Sequence, residues 1–369
     1  MGKKVKIGIG ICVGLLLAVI LVVGGYVVYM QAHFYRIPDH TALAVENNRE
    51  AVLETGHTYT AVTYNVGFGA YGPDYSFFMD TGEMKDGTKT QGIYGKAVSR
   101  EDTEKNTSGS VQILNDLNAD FMLLQEVDED ADRSYHLNQV SCLKESFPDY
   151  SSVFVNNFHT AYLLYPFSDP HGAVQAGLLN FSRYKAADAI RRSYPVDDSF
   201  ITKFIDLDRC FSVMRFPVKD GKELVLVNSH MSAYDEGGKI RVQQLELLNS
   251  VMAEEYEAGN YVIVGGDFNH AMGEAVAEGF ATEQKFPAWV SVLTSEELAD
   301  GIRMVRAENE LDVPTCRGAD IPYIKGVNYT TVVDGFLVSA NIRATAENID
   351  ADFAYSDHNP VKLTFELMD

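Results

Sequence analysis

Two short segments carry the groups best suited to chemistry: Val264-Gly265-Gly266-Asp267-Phe268-Asn269-His270 and Tyr355-Ser356-Asp357-His358-Asn359-Pro360. The first sets its polar groups where an apolar run ends and two glycines free the backbone to turn. Side chains at strand ends are held rigidly by a sheet yet open onto a cleft. Asp267 and Asn269 are two apart and share a face if strand geometry continues. Asp267 can take or orient the proton of a water, and Asn269 can donate to a phosphoryl oxygen without adding charge. The same Gly-Asp-Phe-Asn run also reads as an Asx turn. With Asp357-His358 in the same chain, metal-assisted attack of water on phosphorus is the chemistry to test.

That chemistry needs charge neutralised on the non-bridging oxygens, a water activated, and the leaving oxygen stabilised. Mg²⁺ suits the first need, with Mn²⁺ as an alternative, because hard cations take oxygen ligands. Glu126 ends the apolar run Phe121-Met122-Leu123-Leu124, where a carboxylate is costly unless paired or metal-bound. It reads as a ligand, or as half of a salt bridge with an arginine. Asn65 could hold that metal or a phosphate oxygen, or simply form the turn before Gly67. His358 needs a group to fix its tautomer and stabilise its cation, and Asp334 in Val-Val-Asp-Gly-Phe-Leu-Val is the natural partner. His230 could donate to the phosphate or the leaving oxygen, or be structural. His270 reads as a neighbour of the motif, and the other histidines carry no assignment.

Those groups need positioning elements. Strands are expected over Thr58–Val66, Phe121–Leu124, Glu223–Val227, Tyr261–Val264, Val332–Val338 and Val361–Leu367. Helical spacing of apolar residues predicts helices over Ser108–Asn118 and Lys239–Glu257. The pattern is a sheet-on-sheet core flanked by helices, with acting groups at one edge of the sheets.

At 369 residues and 46% hydrophobic, the chain can bury one large core or two modest ones. Lys3, Lys4 and Lys6 precede an uncharged stretch, Ile7 to Met30, whose 24 residues rise about 36 Å as a helix, enough for a hydrocarbon core of roughly 30 Å. Cleaved signals have shorter apolar regions and a small-x-small site. Here the stretch ends in Tyr26-Val27-Val28-Tyr29, aromatics suited to an interface. The expectation is a single-pass membrane protein with anchor 1–31, linker 32–57 and catalytic domain 58–369. The leading lysines place that domain outside the cytoplasm. The chain's net charge is −22, and residues 1–31 hold three lysines and no acid, so the remainder carries −25. Proteins that track duplex nucleic acid neutralise phosphates with Lys and Arg, so this acidity disfavours broad duplex binding. Of four cysteines, Cys142, Cys210 and Cys316 lie beyond the anchor with no CxxC, indicating neither a zinc site nor a disulfide framework.

Thr63-Tyr64-Asn65-Val66, Leu124-Gln125-Glu126-Val127, Asn228-Ser229-His230-Met231, Gly266-Asp267-Phe268-Asn269, Val333-Asp334 and Ser356-Asp357-His358-Asn359-Pro360 occur in that order. Together they resemble the endonuclease/exonuclease/phosphatase superfamily of DNase I-like metal-dependent phosphoesterases, from about residue 59 to the end. The resemblance implies an α/β fold: a four-layer α/β-sandwich, two packed β-sheets flanked by helices, here preceded by one N-terminal transmembrane helix. It implies Asn65 and Glu126 at the metal, with Asp357 as a further ligand. Asp267 would position or deprotonate the water, Asn269 would bind phosphate, and His358 with Asp334, and His230, would stabilise the transition state and leaving group. The substrate expected is a phosphoester: a phospholipid, a small phosphodiester or nucleic acid. No protein partner is implied. The alternatives are an extracellular endonuclease of the same fold and a non-catalytic binding protein that retains it. One departure is the aromatic, Gly-rich stretch 68–80, which reads as a lid, a lipid-resting surface or an insertion packed on the domain.

Overall fold

The computed structural model describes residues 2–233 and 238–369. Two mixed sheets face each other. The first has six strands in the order Ile342–Asn348, Val361–Leu367, Thr58–Asn65, Phe121–Ala131, Gly172–Ser182, Ser151–Leu163. The second has seven: Thr41–Ala42, Asp188–Ser193, Cys210–Pro217, Glu223–His230, Tyr261–Asp267, Asp334–Ser339, Ile302–Val305.

Each of these two sheets is centred on one parallel pair, Thr58–Asn65 with Phe121–Ala131 and Glu223–His230 with Tyr261–Asp267. A parallel pair needs a crossover, and the helices Arg100–Leu117 and Lys239–Glu257 supply the two. Alternation along the strands sorts their residues. Tyr59, Ala61, Phe121, Leu123, Leu224, Leu226 and Ile263 fill the space between the sheets. Val62, Tyr64, Met122 and Leu124 turn outward onto Leu114 and Leu143. Val225, Val227, Val262 and Val264 turn outward onto Leu245, Leu248 and Met252. The result is helix, sheet, sheet, helix: the four-layer sandwich. Polar ties cross the middle, where Gln125 Nε2 donates to Asn228 Oδ1 (2.7 Å) and Asn228 Nδ2 to Asn180 Oδ1 (2.8 Å).

The helix expected from Ser108 begins eight residues earlier, at Arg100. Its first turns lack apolar periodicity, but Ser99 caps them by accepting from Asp102 N, with Glu101 and Asp102 against the positive helix end. Residues 32–57, expected as a linker, run along the domain. Thr41–Ala42 pair with Ile190 and Arg191, Glu46 bridges to Ser152, and Leu53 is buried between the sheets. The N-terminal helix, Lys3–His33, is apolar enough to cross a membrane and exposed over most of its length.

Candidate active site

Both parallel pairs run the same way into one edge, so the ends of four strands from two sheets meet there. Asn65 lies beside Gln125 in register, and His230 beside Asp267, which in turn faces Asp334. Open α/β sheets present ligand sites at the carboxyl ends of their parallel strands. The expected strand end at Glu126 is in fact a bulge. The strand continues to Ala131, with a register shift between Leu124 and Val127. Glu126 there takes φ 54, a conformation that costs a non-glycine residue about 1–3 kcal/mol. Bulges re-aim side chains, and this one turns Glu126 into the cleft.

Asn65 is the hinge of the site. Its Nδ2 donates to Glu126 Oε1 (3.1 Å) and to Asp267 Oδ2 (3.0 Å), while its Oδ1 accepts from Gly67 N (3.0 Å). Gly67 has φ +53, and a Cβ there would stand 2.9 Å from the Tyr71 ring and 3.1 Å from Asp357 Oδ1. The glycine therefore lets the chain pass close beneath the cleft. Asp267 Oδ1 accepts from Asn269 N (2.9 Å), so the Asx turn is present. Its Oδ2 is left facing the cleft, 3.6 Å from His230 Nε2 and 3.7 Å from His358 Nε2. His230 Nε2 is also 3.9 Å from Glu126 Oε1. Asn269 Nδ2 donates to Met231 O (2.9 Å).

His358 Nδ1 lies 2.8 Å from Asp334 Oδ2. Two hydroxyls that apolar patterning could not flag hold this pair. Thr315 Oγ1 accepts from the amides of Val333 and Asp334, and Ser356 Oγ accepts from His358 N while donating to Asn65 O. All eight residues singled out from the sequence thus lie around one cleft, most of them buried.

The electrostatics follow from burial. It pushes the Asp267 carboxyl up to about 6, against the pull of His358. It lifts Asp357 to about 7, with His358 opposing and the Glu126 carboxylate adding to the rise. For His358 burial disfavours the cation, yet Asp334, Cys316, Asp267 and Asp357 outweigh it and hold the imidazole well above its ordinary value. Burial drives His230 the other way, well below its ordinary value, with Arg209 and His358 adding to the effect. The surroundings thus favour the cation of one histidine and the neutral form of the other.

Among the described residues, Asp267, Asp334 and His358 present ligand atoms within 4.8 Å of one another. A cationic His358 would repel a metal, so this trio is better suited to proton movement. The Glu126 carboxylate adds to the cost of a charged, buried Asp357, and a hard divalent cation would offset that cost with oxygen ligands. The donor set fits such an ion.

The cleft measures about 1480 Å³. The stretch 68–80 forms part of its wall, with Phe68, Tyr71, Tyr75 and Phe77 buried in a cluster of their own. It is a packed insertion rather than a lid. Arg133, which no sequence motif flagged, stacks 3.8 Å over Phe68 and pairs with Asp128 (2.7 Å) beneath it. A buried Asp-x₄-Arg pair following an apolar strand was the available signal.

Comparison with known proteins follows the same lines. No curated protein matches the sequence. In fold, the chain is similar to TDP2 from C. elegans (TM-score 0.53, 13% identity, 87% of this chain and 77% of that one). It is similar to an endonuclease/exonuclease/phosphatase from Beutenbergia cavernae (0.55, 14%, 84% and 72%). It is also similar to an endonuclease/exonuclease/phosphatase family protein from Leptotrichia buccalis (0.54, 15%, 84% and 100%). The model of the Endonuclease/Exonuclease/phosphatase family matches residues 62–358, a span that contains all eight candidate residues. The chain is a member of that family.

Proposed function

We propose that this protein is a membrane-anchored, divalent-metal-dependent phosphoesterase whose catalytic domain stands outside the cytoplasm. The carrying observation is the convergence on Asp267 Oδ2 of Asn65, His230 and a His358 paired with Asp334. Glu126 and Asp357, with Asn65, would hold Mg²⁺ or Mn²⁺. Bound there, the ion supplies positive charge to the phosphoryl oxygens. Asp267 takes a proton from the attacking water while Asn65 and Asn269 N fix its two oxygens. Asn269 and His230 donate to the phosphoryl group. His358, kept cationic by Asp334, gives a proton to the leaving oxygen. The water oxygen bonds to phosphorus in line, the P–O bond to the leaving group breaks with its electron pair, and the proton on Asp267 restores the one His358 gave.

A zebrafish (D. rerio) TDP2 structure of the same fold (15% identity, TM-score 0.50) is complexed with a single-strand DNA product, which keeps an endonuclease as the second reading. The cations on this cleft argue against it. Arg133 is paired with Asp128, Lys89 and Lys285 both pair with Glu83, and Arg209 and Arg317 are buried and donate to the carbonyls of Met231 and of Tyr71 and Gly72. Little exposed, unpaired positive charge remains on the cleft to track a phosphate backbone.

The full chain in detergent micelles is expected to hydrolyse bis-p-nitrophenyl phosphate only with Mg²⁺ or Mn²⁺, and to lose this on chelation by EDTA. Activity that survives EDTA would overturn the metal-dependent reading. A stability test accompanies it. Asp267 and Asp357 sit above the ordinary carboxylate value of 3.8 when folded, so from about pH 4 to 7 the folded state binds more protons than the unfolded one and stability falls as pH rises. A raised His358 has the same sign at higher pH. His230 and His171, kept neutral by burial, oppose this below about pH 7, so the readout is a difference: in EDTA the Tm of the parent minus that of Asp357→Asn should grow as pH is lowered from about 7.5 to 5. A difference between parent and variant that does not change with pH in this window would count against a buried, raised Asp357.

A further inference from the structure

Two loops of the domain carry an unusual run of exposed apolar side chains. One holds Leu164, Tyr165 and Phe167, the last 82% exposed; the other holds Phe200, Ile201 (71% exposed) and Ile205. Single exposed apolar residues are ordinary, but adjoining ones mark an interaction surface.

Both loops are fastened to the N-terminal helix. Tyr26 Oη donates to Tyr162 O (3.0 Å) and accepts from Leu164 N (3.4 Å), while Tyr162 N donates to Tyr29 Oη (3.2 Å). Lys203 Nζ donates to Gln31 Oε1 (2.9 Å), and the Phe204 ring stands edge-on to Phe34. Thr160 Oγ1 donates to Phe204 O (3.0 Å), joining one loop's strand to the other loop.

The helix also acts as a ruler. From Ile7 to Gly25 it is uncharged and exposed, and those residues rise about 28 Å at 1.5 Å each, close to a hydrocarbon thickness of about 30 Å. Tyr26 is the first residue the domain shields, and tyrosines favour the membrane–water boundary. The domain thus begins where the bilayer would end. Tyr26, Leu164, Tyr165 and Ile205 also line the cleft that reaches Asp267 and His358. In a bilayer crossed by this helix, the mouth of the cleft would therefore lie level with the lipid headgroups.

We infer that the loops around Phe167 and Ile201 insert into the leaflet from which the helix emerges, and that the cleft takes its phosphoester from the headgroup of a lipid in that bilayer. This rests on the anchored-phosphoesterase reading above and names its substrate class. A protein partner could cover an apolar patch elsewhere; here the patch continues the surface of the membrane helix at the point where it leaves the bilayer. The hydrolysis consumes one water per ester cleaved.

The full chain in liposomes provides the test. In a Trp289→Phe background, Phe167→Trp should be quenched by phosphatidylcholine brominated on its acyl chains and not by the unbrominated lipid. Phe167, Phe200 and Ile201, replaced together by Ser, do not themselves line the cleft. This variant should keep parental hydrolysis of bis-p-nitrophenyl phosphate. Its release of phosphorylated headgroup or lipid phosphate from mixed phosphatidylcholine, phosphatidylglycerol and sphingomyelin vesicles should fall about tenfold or more, as lost interfacial anchoring predicts. Absent quenching overturns the inference, as does association of chains that the serine variant abolishes. Equal vesicle turnover by parent and variant also overturns it, and so does a parent that cleaves the soluble ester but no vesicle lipid. A parent inert toward the soluble ester with Mg²⁺ instead defeats the phosphoesterase reading, and the quenching result then decides the membrane contact by itself.

Discussion

Asp267→Asn is expected to lower kcat for a phosphodiester by about 10³- to 10⁴-fold, the upper part of what a positioned general base contributes. Asp267 Oδ1 is spent on Asn269 N, and Oδ2 is the one oxygen presented to Asn65, His230 and His358 together. Burial has already lifted this carboxyl to about 6, close to neutrality, which suits a base that must both take and release a proton. The amide keeps the turn, because its oxygen can still accept from Asn269 N, but it cannot take a proton from water. Its cost to the fold is small. Losing the bond from Asn65 removes about 1 kcal/mol, offset by relief from burying a charge. Tm should therefore stay within a few degrees while turnover collapses. A kcat within tenfold of the parent, in a variant with unchanged circular dichroism, would remove Asp267 from the chemistry.

Several residues of the candidate site stood out in the sequence because they end or interrupt an apolar strand that would otherwise have no reason to carry charge. Glu126 after Phe121–Leu124, Asp334 within Val332–Val338 and His230 after Leu224–Val227 all break such a run. The central strands were legible for the same reason, and so were the helix Lys239–Glu257 and the strand Val361–Leu367, whose bounds coincide with the structure. The strands Ser151–Leu163, Asp188–Ser193 and Ile342–Asn348 were not. Their sequences mix Asn156-Asn157, Arg191-Arg192 or Thr345 and Glu347 into the run, and they are held by antiparallel backbone pairing to the strand that follows each of them in the chain.

Within the site, the sequence lacked anything that depends on a neighbour's position. The bulge at Glu126 arises from how that strand pairs with Gly172–Ser182, and single-chain periodicity carries no trace of it. The supporting hydroxyls of Thr315 and Ser356 are short polar residues that look like any loop residue until the backbone amides above them are seen. The segment before Tyr59 looked like a linker because its apolar residues, Leu43, Val45 and Leu53, are too sparse for a period, yet each finds the core.

Asp334→Asn should cost about 10³- to 10⁴-fold in kcat, comparable to removing the orienting carboxylate of a Ser-His-Asp triad, and its pH signature separates chemistry from structure. In the parent, His358 is held well above its ordinary value, so it stays a proton donor through neutral pH. The carboxylate at 2.8 Å from Nδ1 is the largest of the influences that favour this cation. With Asn, the largest of these influences is gone while the burial that opposes the charge stays, and the imidazole should lose its proton at lower pH than in the parent. The sign is definite: the alkaline limb of the kcat profile moves to lower pH, and residual activity grows as the solution is acidified until Asp267 itself takes up a proton. Asp334 sits with no exposed side chain, its backbone N and that of Val333 bound to Thr315 Oγ1. A carboxylate there that served only to fill space would leave the limb in place and shift Tm alone. An alkaline limb unmoved by Asp334→Asn would therefore exclude His358 as the cationic donor to the leaving oxygen.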